Sequence, residues 1–65
     1  MEKAMAIANP VDYSYPMLMA QKALRDAHEA VLKKDFDSAV EEVMTAMAET
    51  KLTLNAIKEM RELYK

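Results

Sequence analysis

Apolar residues recur at spacings of three and four along two stretches of the chain. In the first, Met17, Ala20, Leu24, Ala27 and Val31 form a stripe flanked by Ala23 and Ala30. Gln21, Lys22, Arg25, Asp26, Glu29 and Lys33 take the other side. In the second, Phe36, Ala39, Val40, Val43, Ala46, Met47, Thr50, Leu54, Ile57 and Tyr64 share a face. This periodicity predicts two amphipathic helices, helix one over about 15–33 and helix two over about 36–63. Lys33-Lys34-Asp35-Phe36-Asp37-Ser38 lies between them as a turn. Two lysines suit the negative end of helix one, and Asp35 or Asp37 can cap helix two, with Glu41 and Glu42 following near its positive end. The chain has no glycine, so Lys34 or Asp35 must absorb the reversal.

Upstream, residues 1–8 are rich in Ala and Met and can form two helical turns. Asn9-Pro10 ends them, because the residue before a proline is pushed out of the α region. Val11-Asp12-Tyr13-Ser14-Tyr15-Pro16 connects this arm to helix one, with Ser14 as the expected N-cap and Pro16 in a first helical turn. The expected fold is therefore all-α: an antiparallel helical hairpin (15–65) with a short N-terminal arm and connector (1–14).

With 65 residues, the chain falls below the size at which one core normally suffices. It has no cysteine, which excludes disulfides and thiolate metal sites, so self-association is the expected remedy. A dimer forming a four-helix bundle is the simplest form. Helix two would be ~42 Å long against ~28 Å for helix one, leaving its last turns for the arm or another chain to cover. The arm could pack in cis or in trans. Ala48, Leu52, Ala56 and Leu63 line up on the side expected to oppose the hairpin seam, and Leu18, Met19 and Met44 also fall off the seam. These seven are the expected interface. Arg61 falls on the apolar seam of helix two, so burial there would call for an acidic partner such as Asp12, Glu2 or a residue of a second chain.

Nine Lys+Arg against eleven Asp+Glu give a net charge of −2, which argues against binding bare DNA. No apolar run is long enough for a signal peptide or a membrane span, so the expected location is the cytoplasm. Catalysis is not expected. His28 is the only histidine, at the edge of the helix-one stripe, and the serines sit at Ser14 and Ser38, both at caps. Arg25 stands where a Glu-x-x-His metal motif needs its carboxylate, so neither a metal nor another cofactor is expected. Tyr13 and Tyr15 bracket Ser14 at the helix-one N-terminus, with Lys22 and Arg25 further on. Free N–H groups, stacking rings and cations make these four the candidate site for a small phosphorylated nucleotide. Two tyrosines packing the connector onto helix two is the simpler account of the rings.

Ala27, the run Lys33–Val40 and Ala46 resemble one tetratricopeptide-type hairpin, in which small residues pack in each helix and an aromatic follows the turn. One such repeat cannot bury its face alone, so the resemblance implies an antiparallel αα-hairpin and not a repeat array. The segments Tyr15–His28 and Ala48–Ile57 are similar to small helical proteins of tailed bacteriophages. That resemblance implies a non-enzymatic accessory or anti-defence factor that binds and inhibits a host protein in the host cytoplasm. It also implies an alternative, an oligomeric sponge for a cyclic or linear nucleotide signal, with Tyr13, Tyr15, Lys22 and Arg25 as the analogous chemistry.

Overall fold

The computed structural model describes residues 12–64 and contains two antiparallel helices, α1 (Ser14–Leu32) and α2 (Phe36–Leu63). The predicted all-α hairpin is the observed fold, with helix boundaries within a residue of expectation. The arm, residues 1–11, lies outside the described residues, together with the expectations placed on it. Both helices are rich in alanine and unbranched side chains and contain no glycine. The proline within α1 sits in the first turn, where its missing N–H would have had no intrahelical partner.

The turn is short and fully bonded. The Lys34 N–H donates to the Val31 carbonyl at 2.9 Å, and the Asp35 N–H donates to the Ala30 carbonyl at 2.8 Å. This is a Schellman closure, with Lys34 in the left-handed position at φ 62° where glycine is usual. Asp35 then caps α2. Its carboxylate accepts the Ser38 N–H at 3.2 Å and the Ser38 hydroxyl at 2.8 Å. One residue thus ends α1 and begins α2.

The cap of α1 differs from expectation. Ser14 is its first helical residue, and the preceding Asp12 carboxylate accepts both the Ser14 N–H at 3.0 Å and its hydroxyl at 2.7 Å. A carboxylate here outcompetes a hydroxyl because it faces the positive end of the helix.

The contact between the helices is made by small residues. On α1 the seam is Pro16, Ala20, Ala23 and Ala27, with Ala30 half-buried. On α2 it is Ala39, Ala46 and buried Thr53, interleaved with half-buried Glu42, Glu49, Ala56 and Met60. Both sets follow a three–four alternation, as in an antiparallel coiled coil. The Thr53 hydroxyl donates to the Glu49 carbonyl at 2.9 Å, which satisfies it within the helix.

The expected seam is corrected in one respect. It mixed two stripes that the structure separates. Leu24, Val31, Val40, Val43, Met47, Leu54 and Ile57 are all exposed. Each lies one residue beyond a seam position, or about 100° around its helix. Alanine at the contact lets the backbones approach, and the larger side chains are displaced onto the adjoining face. Among the described residues no large side chain is fully buried. A buried alanine methyl contributes ~0.8 kcal/mol, against about 1.5–3 for a buried leucine or valine.

The overhang of α2 is also smaller than expected. The seam starts at Ala39, one turn into α2, and Tyr13 extends the reach of α1 to a groove with Ile57, Met60 and Tyr64. Arg61 is exposed, its Nε 4.0 Å from a Glu62 carboxylate oxygen, while Asp12 is engaged with Ser14.

Two consequences are measurable. Ala46, 3% exposed in the seam, should not accept leucine: Ala46→Leu is expected to destabilise the fold by about 1–3 kcal/mol, read as a lower urea midpoint. Lys34→Gly is expected to raise that midpoint by about 1 kcal/mol of stability, by removing the β-carbon from a left-handed position.

Candidate interaction face

The one-residue offset between seam and large apolar side chains has the same sense on both helices. Because the helices run antiparallel, the offset brings both stripes to one side of the hairpin. A groove lined by Leu24, Val43, Ala46, Met47, Thr50, Lys51 and Leu54 confirms the meeting. A second groove, lined by Val31, Phe36, Ala39, Val40, Val43 and Met44, continues it toward the turn through the shared Val43. The Tyr13, Ile57, Met60, Arg61 and Tyr64 groove lies at the other end. Met47 is 66% exposed and Leu54 54%, so the face is open to water.

The opposite side of the seam is polar. Its shallow groove is lined by Met19, Lys22, Ala23, Asp26, Glu42, Thr45 and Glu49. Lys22 Nζ lies 2.9 Å from Asp26 Oδ2, an i,i+4 pair, and a hydrogen bond and charge from Asp26, reinforced by Glu42, raise the lysine above its ordinary pKa. The Ser14 hydroxyl and N–H hold Asp12 below the usual carboxylate value. The signs follow. Asp12 supports the α1 N-terminus at neutral pH and loses that effect as pH falls through its lowered value. Lys22 supports α1 at neutral pH and loses that effect only as pH rises past its raised value. Both groups are exposed, so salt weakens both effects.

The tyrosines and the cations expected to hold a nucleotide are not brought together. Tyr13 faces the end of α2, Tyr15 is exposed, and Lys22 is paired on the polar side with exposed Arg25 as its neighbour one turn on. Of the expected interface residues, Met44 borders the apolar face, and Leu18, Ala48, Leu52 and Leu63 are exposed away from its grooves. Met19 is half-buried at the polar groove, and Ala56 is half-buried along the seam. The expected stripe is not a single surface opposite the seam, because Ala56 borders the seam itself. The observed apolar face is made of residues expected in the interior. Sorting the apolar positions by size as well as spacing separates the two stripes.

His28 is exposed on α1, and the Ser14 and Ser38 hydroxyls both donate to cap carboxylates. Among the described residues no three His, Cys, Asp or Glu side chains are grouped to hold a metal ion, and no helix is long and apolar enough to cross a membrane. The chain matches no protein-family model, curated protein or solved structure.

The Asp12 assignment has a direct check. In a carboxyl NMR titration, Ser14→Ala is expected to move the Asp12 midpoint upward toward the ordinary aspartate value. An unchanged midpoint would remove the hydroxyl as the main cause.

Proposed function

We propose that this chain is a non-enzymatic interaction protein whose working surface is the apolar face of the hairpin. The observation that carries the reading is the continuous exposed set Leu24, Val31, Val40, Val43, Met47, Leu54 and Ile57, beside a seam that buries only small side chains. Taking the two helices at ~42 and ~28 Å long and each ~10 Å wide, the face measures roughly 700 Å². Leaving so much apolar surface in water opposes solubility, whereas covering it contributes the burial that the alanine seam lacks. The similarity to small phage proteins extends the reading to an accessory factor that acts stoichiometrically in the host cytoplasm, blocking a host protein by occupying its surface.

The test is site-specific photo-crosslinking in cells expressing the chain. A photoreactive side chain at Val43 or Leu54 is expected to yield a discrete adduct. The same group at Asp26 or Thr45, on the polar side, is expected to yield none. Equal yields from both sides, or no adduct from the apolar positions, would overturn the assignment of the face.

A further inference from the structure

Resting on that reading of the face, we infer that its primary occupant is a second copy of this chain, with α2 packed antiparallel on α2 of its partner in a two-fold four-helix bundle. Three observations converge. The first is periodicity. Phe36, Val40, Val43, Met47, Leu54 and Ile57 continue an unbroken three–four alternation, completed at its centre by Thr50. A stripe of this kind is self-complementary, because the side chains of one helix enter the gaps of an identical one. The α1 contribution is sparser, with Gln21 and His28 between Met17, Leu24 and Val31. Stacking α2 on α2 therefore buries the richer stripe against itself, whereas stacking α2 on α1 would set it against the interrupted one.

The second is area. Two faces of roughly 700 Å² remove about 1,400 Å² from water, within the ~1,200–2,000 Å² of stable interfaces.

The third is charge. Along the outer edge of the stripe, Asp37 stands near the start of α2, and Lys51 and Lys58 precede Glu62 toward its end. Antiparallel pairing sets the aspartate of each copy beside Lys58 of the other and opposes the two helix dipoles. Parallel pairing would bring like charges together.

The experiment measures the mass of the full chain by light scattering across a dilution series, together with helicity. The expected mass is twice the 7.4 kDa of one chain. Val43→Glu and Leu54→Glu are expected to shift the midpoint of dissociation at least tenfold higher in concentration, while Leu52→Glu, outside the face, leaves it unchanged. A helical 7.4 kDa species throughout the series, or dissociation by Leu52→Glu but not by Val43→Glu, would overturn the inference. Because the chain has no cysteine, orientation is read independently of those variants by disulfide trapping. Thr50→Cys, near the two-fold axis, is expected to link to itself. Asp37→Cys is expected to link to Lys58→Cys in a mixture and not to itself, and self-linking at Asp37→Cys would exclude the antiparallel arrangement. A monomer in isolation that still yields a Val43 adduct with a different protein in cells would sink the second copy and leave the interaction face standing.

Discussion

The close approach of two backbones across an alanine seam governs the rest of this molecule. At the contact, each side chain must be small enough to let the helices meet, so the larger apolar residues cannot also be there. They occur one position later in each helix, and antiparallel geometry carries both displaced stripes to the same side. A single choice of residue size at the seam therefore sets the separation of the helices, the thinness of the interior and the location of the water-exposed apolar surface. The polar side follows from the same offset in the opposite sense, with Lys22, Asp26, Glu42 and Glu49 around its groove.

Much of the fold was legible in the sequence because it depends on local rules. The alternation of three and four gave both helices, the lysine pair and Asp35 marked the turn, and the lack of glycine singled out Lys34 as one of two residues that could reverse the chain. The face was not legible by the same means. Periodicity locates an apolar arc on a helix but does not say which half of a wide arc meets the neighbour. Ala46 and Met47 are adjacent in sequence and equally apolar in a two-letter reading. Only their volumes distinguish the one that fits between backbones from the one left outside.

The same limit explains the candidate residues that the structure disperses. Tyr13 and Lys22 are close in sequence, yet a helix turns about 100° per residue and carries Lys22, with Arg25 beside it, away from the ring. Arg61 has the phase of an apolar face. That phase belongs to the outer stripe, so the guanidinium lies in water near Glu62.

Asp35 serves both helices at once, as the last acceptor-closing residue of α1 and the cap of α2, and this sharing leaves the connection no slack. A change of even one residue in the length of this bend would rotate every later position of α2 about its axis relative to α1. The alanines would turn away from one another: a deletion would swing the bulky stripe into the gap, and an insertion would bring Ser38, Glu41, Thr45 and Leu52 there. The bend thus acts as a phase lock: substitutions within it are tolerable, but insertions and deletions there rewrite which surface the molecule presents.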